Sequence, residues 1–203
     1  MQSIQQKEAE VYTELWSSVP NYRKNSPGEQ YAKVFHEIVN DPGATVLDAG
    51  FGEGRGMVAL SALGYHVGGV DITDAGLMPE AKGFPCVIES LWNDLRPALF
   101  IFHVTNPKVF KADSVDYVYS CDVLEHLPGQ YTMLAVDQML RVAKKGVFLS
   151  VFFNQDGFGP WAGRPLHLTV QSFVWWRDAI REIADVLEAR DCHDFGIYYL
   201  GAR

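Results

Sequence analysis

From about residue 44 the chain alternates short apolar runs with amphipathic segments. Ala44-Thr45-Val46-Leu47-Asp48 is apolar and brief, which reads as a buried strand. Met57 to Leu63 follows with helical character and a Gly64 stop. Tyr65 to Asp71 reads as a second strand, Ala75 to Ala81 as a short helix or turn, and Phe84 to Ile88 as a third strand. Val115 to Ser120 makes a fourth, Pro128 to Ala143 a helix, and Gly146 to Phe153 a fifth strand. Strands that alternate with helices predict an α/β fold: a doubly wound, mostly parallel sheet with helices on both faces.

The ends of the chain carry other patterns. Residues 4–17 have a weak helical pattern. Ser26-Pro27-Gly28-Glu29 predicts a helix start, with Ser26 as cap, Pro27 in the first helical position and Glu29 reaching back; that helix runs to about Asn40. Beyond Phe153 a loop rich in glycine, proline and aromatics extends to His167. Phe173, Trp176, Ile180, Ile183 and Leu187 then recur at helical spacing, and Phe195 to Gly201 suggests a closing strand. The expected organisation is one domain over 1–203, with a helical cap (1–40), a core (41–153) and a closing part (154–203).

Composition narrows the function. Hydrophobic residues make up 48% and charged residues 21% of 203, which fits a globular chain. The net charge of −8 disfavours nucleic acid as a partner, because phosphate contacts need clustered cations, and the tight basic cluster is limited to Arg141, Lys144 and Lys145. The three cysteines form no CxxC pair, which points away from a zinc knuckle or a disulfide framework. The first residues lack an apolar signal region, and no apolar run approaches the roughly 20 residues that span a bilayer. A cytoplasmic protein without a membrane partner is expected; oligomeric state is left open.

The chemistry concentrates where the first strand ends. Asp48-Ala49-Gly50-Phe51-Gly52-Glu53-Gly54-Arg55-Gly56 is an acid followed by a glycine-rich turn that opens a helix. Such turns let a ligand approach the backbone, at the carboxyl ends of strands in an open α/β sheet. Arg55 occupies the position of the third glycine in a dinucleotide fingerprint, which disfavours a nicotinamide oxidoreductase, and no nucleoside-triphosphate loop is present.

The D-x-G-x-G-x-G run resembles motif I of the class I, Rossmann-like S-adenosylmethionine-dependent methyltransferases. Asp71, 21 residues beyond Gly50, and the run Ser120-Cys121-Asp122-Val123-Leu124-Glu125-His126-Leu127-Pro128 resemble the family's later motifs. The resemblance is close over about 26–153 and implies a seven-stranded sheet, S-adenosyl-L-methionine as cofactor and methyl transfer as activity. It implies that Asp48 orders the turn and reaches the methionine amino group, directly or through water. It also implies that Gly50, Gly52 and Gly54 line the cofactor, that Asp71 binds ribose and that Ile72 lies against adenine. Glu89 and Ser90 would hold the adenine edge, although this chain lacks the frequent G-D there. Cys121 and Asp122 would border the methionine part, and Tyr22 and Arg23 would close over it.

The acceptor side stays open at this level. His126 is the candidate general base; alternatively, Glu125 and His126 sit in a helix's first turn and orient each other. His167 and the aromatic loop 158–167 occupy the place of an acceptor pocket, and residues 91–112 form a long connection that shapes that pocket or a dimer face. Asp122-x-x-Glu125-His126 resembles the E-x-x-E-H metal site of some O-methyltransferases, with His167 as a further ligand. The first acid is one methylene shorter here and the run occurs in metal-free relatives, so no metal is expected. The DNA amino-methylation signature after the fourth strand and the Pro-Cys of cytosine-C5 enzymes are both missing. The reading is a methyltransferase whose acceptor is small, or borne on a carrier or glycan. The alternatives are a metal-assisted 2′-O-methyltransferase of RNA ends and a non-catalytic cofactor-binding partner protein.

Overall fold

The computed structural model describes residues 4–19, 21–22, 27–88 and 110–202. Helix α1 (Ile4–Ser18) precedes α2 (Gly28–Val39) and strand β1 (Thr45–Ala49). Then come α3 (Arg55–Ala62), β2 (His66–Asp71), β3 (Cys86–Ile88) and β4 (Val115–Cys121). Helix α4 (Gly129–Val142) leads directly into β5 (Ala143–Phe152), and the short α5 (Gly159–Ala162) and α6 (Phe173–Arg181) follow. The chain closes with β6 (Val186–Asp191) and β7 (Phe195–Gly201).

The seven strands form one sheet in the order β3-β2-β1-β4-β5-β7-β6. The pairs β3–β2, β2–β1, β1–β4 and β4–β5 are parallel, whereas β7 runs antiparallel to β5 and to β6. The sheet is therefore mixed through a single reversed strand. Strand order reverses between β1 and β4, and a crevice at such a point is where open α/β sheets bind ligands.

Two apolar layers sandwich the sheet. On one side Val118, Val147 and Leu149 pack with Val136, Met139 and Leu140 of α4 and Trp176 and Ile180 of α6. On the other, Val46, Tyr119 and Phe148 pack with Tyr31 and Phe35 of α2 and Met57 and Leu60 of α3. Burial on both faces explains why β4 and β5 are apolar almost throughout instead of alternating. A third, smaller cluster joins Tyr12, Leu15 and Trp16 of α1 to Ile72 after β2 and to Leu166. Through it α1 lies over the carboxyl ends of the strands.

Two expectations shift. The stripe that ends on Leu187 overruns its helix: α6 stops at Arg181, and Leu187 is an exposed residue of β6. Val186-Leu187-Glu188-Ala189-Arg190 has good helix formers, but pairing with β7 decides its conformation. The start of α2 lies at Gly28 with Pro27 as the cap residue and no side-chain cap. Glu29 faces Arg55 at 3.6 Å rather than the helix end, and Ser26 lies outside the described residues. The 91–112 connection lies outside them up to residue 109. Among the described residues, no helix is long and apolar enough to cross a membrane.

Candidate active site

The site is built at the carboxyl ends of β1, β2 and β4. After β1, Gly50, Gly52 and Gly54 have φ of +86, +52 and +80°, a region that strains residues with a Cβ. The glycines at 50 and 54 are also required by space. A Cβ on Gly50 would stand 2.3 Å from Val123 Cγ2, and one on Gly54 would stand 2.5 Å from Ala81 Cβ. Gly50 N–H donates to the Val70 carbonyl at 2.8 Å, which fastens the turn to β2.

Asp71 ends β2 and organises the turn from the other side. Its Oδ2 accepts from Gly52 N–H at 2.8 Å, and its Oδ1 accepts from Ile72 N–H at 2.7 Å and Thr73 N–H at 3.3 Å. Burial pushes its pKa up to about 6 against the pull of those three donors. Asp48 is deeper. It lies 3% exposed beneath the turn, with Oδ2 2.7 Å from where a Cβ on Gly56 would stand. Burial, reinforced by the Asp71 charge, lifts its pKa to about 8, while Met57 N–H opposes the rise. Asp48 thus braces the start of α3 and is not among the residues that line the cavities described below.

Across the switch point, Ser120 Oγ donates to the Ala49 carbonyl at 2.8 Å and ties β4 to the end of β1. Asp122 follows with φ +53°; its N–H donates to Ser150 O, and its Oδ1 accepts from Ser150 Oγ at 2.9 Å. Burial pushes the Cys121 thiol well up, so the sulfur is a neutral wall. Glu125 is fully buried, with Oε1 taking the Phe152 N–H at 3.0 Å. Burial and the Asp122 charge drive its pKa well up, and burial raises that of Asp122 as well, to about 6.

His126 sits in a 3-10 turn (Leu124–His126) before α4, and its Nδ1 is 2.9 Å from the Tyr12 hydroxyl. Burial, together with neighbouring His167, lowers its pKa to about 3, so the ring is neutral near pH 7. Glu125 and His126 therefore bond to Phe152 and Tyr12, not to each other. The His167 ring lies edge-on to that of His126, with centroids 4.6 Å apart. Asp156 holds the loop that carries it, accepting from the N–H groups of Phe158, Gly159, Leu166 and His167. Partial burial raises the Asp156 pKa, but those donors outweigh it and leave the carboxylate below its usual range.

A cavity of about 1010 Å³ connects these groups. Gly50, Gly52, Cys121, Asp122, His126 and His167 line it, with Glu29, Gln30 and Lys33 of α2 at another wall. A recess of about 90 Å³ shares Gly50, Gly52, Asp122 and His126 and adds Asp71, Ile72 and Val123. Tyr12 and Trp16 of α1 close over the recess, and Trp16, Tyr22 and Phe158 form a chain of edge-packed rings. The Arg164–Glu8 ion pair ties the same loop to α1.

Of the residues singled out in the sequence, Gly50, Gly52, Asp71, Ile72, Cys121, Asp122, His126 and His167 meet at these cavities. Gly54 sits at the α3 cap against Ala81, away from the walls. Arg23, Glu89 and Ser90 lie outside the described residues. Tyr12, Trp16 and Asp156 were not singled out. The i, i+4 spacing of Tyr12 and Trp16 on a helix was the available signal for two of them.

Residues 47–151 match the family model described as a methyltransferase domain. The chain belongs to that family. Fold and cofactor class are those of the class I, S-adenosylmethionine-dependent methyltransferases, as the sequence motifs implied. Among solved structures, the chain is similar to the 1,6-didemethyltoxoflavin-N1-methyltransferase of Burkholderia thailandensis, crystallised with S-adenosylhomocysteine. That match has a TM-score of 0.69 at 16% identity and covers 100% of this chain and 92% of the other. Magnesium protoporphyrin IX methyltransferase from Synechocystis PCC 6803, with bound S-adenosylhomocysteine, gives a TM-score of 0.65 at 16% identity, covering 97% and 100%. By sequence the chain is 25% identical over 148 residues to phosphoethanolamine N-methyltransferase 2 of Caenorhabditis elegans. That stretch is 71% of this chain and spans 31% of the relative's length.

Proposed function

We propose that the protein transfers the methyl group of S-adenosyl-L-methionine to a small acceptor bound in the cavity beyond Asp122 and His126. The observation that carries this reading is the convergence of the glycine turn, Asp71 and Asp122 on one cavity at the sheet's switch point. The residues fit the cofactor. Asp71 Oδ1 already takes two backbone donors, whereas Oδ2 takes one and keeps acceptor capacity for a ribose hydroxyl at the recess wall. Ile72 gives an apolar surface for adenine beside it.

When bound, the cofactor supplies a methyl group that its sulfonium already activates. The protein therefore has to align and to exclude water. Trp16, Tyr22 and Phe158 form the apolar cover. Asp122, fixed by Ser150, stands between the cofactor side and the acceptor side. His126, neutral and bonded to Tyr12 through Nδ1, borders the acceptor end. His167 and Phe152 line the acceptor end. A small acceptor is favoured by the cavity volume, which suits a cofactor plus a drug-sized molecule. The structural likeness to the 1,6-didemethyltoxoflavin and magnesium protoporphyrin IX methyltransferases favours it too.

The test is formation of S-adenosylhomocysteine with radiolabelled cofactor over a panel of phenols, N-heteroaromatics and phosphorylated amines. Turnover of at least one class, reduced in Asp122→Asn, supports the reading. Tight cofactor binding with no turnover on any class would favour a cofactor-binding protein without transferase activity.

A further inference from the structure

The sheet ends on β3 at one side and on β6 at the other. Strand β3 has three residues, whereas β6 has six, with neither proline nor lysine among them. Among the described residues no strand pairs with the outer side of β6. Such an edge offers a row of backbone N–H and C=O groups to another strand; shortness, proline and lysine are common protections against that. A bulge between Val186 and Glu188 interrupts one end and leaves Glu188 to Asp191 regular. Leu187, beside the bulge, is 64% exposed, more than any other large apolar side chain described.

The pairing with β7 sets the phase of this edge. Cys192 N–H donates to the Phe195 carbonyl at 2.9 Å. Antiparallel ladders alternate, so the backbone groups of Cys192, Arg190 and Glu188 point to β7, and those of Asp191 and Ala189 point outward. Glu188 and Arg190 share one face, where Arg190 Nε donates to Glu188 Oε1. Neither side chain has a further ion pair or hydrogen bond among the described residues. Consider a second β6 laid antiparallel on this edge, with Ala189 on the two-fold axis. Ala189 then exchanges both N–H···O bonds with its own copy. Glu188 stands opposite Arg190 of the second copy, and Arg190 opposite its Glu188, in the non-hydrogen-bonded positions where side chains approach most closely. Moving the axis one residue either way would instead set Glu188 against Glu188 or Arg190 against Arg190. The charges of the strand are therefore self-complementary in one register.

We propose that the chain forms a homodimer through β6, edge to edge, with Ala189 at the axis. Two seven-stranded sheets then join into one. Leu187 stands opposite Asp191 of the second copy and diagonal to its Ala189, which covers part of the exposed apolar surface. The shared backbone ladder and the cover over Leu187 hold the chains together. Exposed ion pairs add little affinity, and here they select the register. In the sheet order β6 lies three places beyond β4, so the interface is remote from the cavity and leaves it open. Such a dimer is independent of the acceptor and of the proposed methyl transfer.

The experiment is sedimentation velocity on the full-length chain, from micromolar to several hundred micromolar. It is run on wild type, Glu188→Arg, Arg190→Glu and the variant that carries both changes, with circular dichroism to establish that each is folded. The wild-type mass should move towards twice that of the monomer as concentration rises. Each single reversal sets like charges opposite each other on both sides of the axis and should weaken dimerisation about tenfold or more. The double variant should recover it. Glu188→Arg and Arg190→Glu chains mixed in equal amounts should dimerise with each other, because every opposed pair is then of opposite sign. That rescue separates contact between chains from the ion pair within one. Wild-type protein that stays monomeric at every concentration overturns the proposal without recourse to any variant. So does a dimer that both reversals leave intact, or folded single variants that fail to rescue each other.

Discussion

The Tyr12 hydroxyl and His126 Nδ1 are 2.9 Å apart, although 114 residues separate them in the chain. This bond joins the helix that covers the site to the turn after β4 that borders the acceptor. It couples closure of the cover to the orientation of one imidazole ring. The Tyr12→Phe variant loses one side chain–side chain hydrogen bond, worth about 1 kcal/mol. The account predicts a kcat about fivefold lower with cofactor affinity nearly unchanged. Steady-state kinetics beside calorimetry checks the split; an equal loss in both would mean that Tyr12 acts only by packing.

Asp71 should make cofactor binding depend on pH. Its ionised carboxylate accepts hydroxyl hydrogens, and burial has raised its pKa to about 6. Affinity for S-adenosylhomocysteine should therefore fall as pH drops through about 6 and level off above 7. Binding isotherms from about pH 5 to 8 on wild type and Asp71→Asn test this; the variant should be weaker and lose that limb.

Asp48 should make stability depend on pH in the opposite sense to a paired carboxylate. Its folded pKa of about 8 stands above the usual value near 4. The folded state keeps a proton that the unfolded state releases. The stabilisation is thus complete below about pH 4 and is lost as pH rises towards 8. Thermal unfolding without cofactor should show a declining Tm across that window, flatter in Asp48→Asn and higher than wild type at the alkaline end.

Gly50→Ala meets two penalties together, a φ of +86° and a Cβ 2.3 Å from Val123 Cγ2. The strain alone is on the order of 1–3 kcal/mol. We expect a Tm lower by several degrees and loss of cofactor binding. Gly163→Ala, also at positive φ but with nothing within 4 Å, should cost only the backbone strain and leave binding intact.

What could be read from the sequence was local. The strand, glycine turn and helix at 45–62 are contiguous, and their chemistry depends on neighbours a few residues away. Asp71 was legible for the same reason, since it ends the next strand. Strand β6 was not, because Leu187, Glu188, Ala189 and Arg190 favour a helix and only the β7 partner overrides them. Tyr12 and Trp16 lie in a weak helical pattern that carries no site signal of its own; their place over the site depends on Ile72 and Leu166, far along the chain. The meeting of Glu125 with His167 likewise needs the loop that Asp156 closes, a set of backbone bonds with no sequence signature.

The central claim is that the glycine turn and Asp71 hold S-adenosylmethionine. Calorimetric titration with S-adenosylmethionine, S-adenosylhomocysteine and NAD, on wild type and Asp71→Ala, tests it most directly. The account predicts micromolar binding of the first two, weakened at least tenfold in the variant (about 1.4 kcal/mol), and none of NAD. Folded wild-type protein that binds neither sulfur compound, or that prefers NAD, would contradict it.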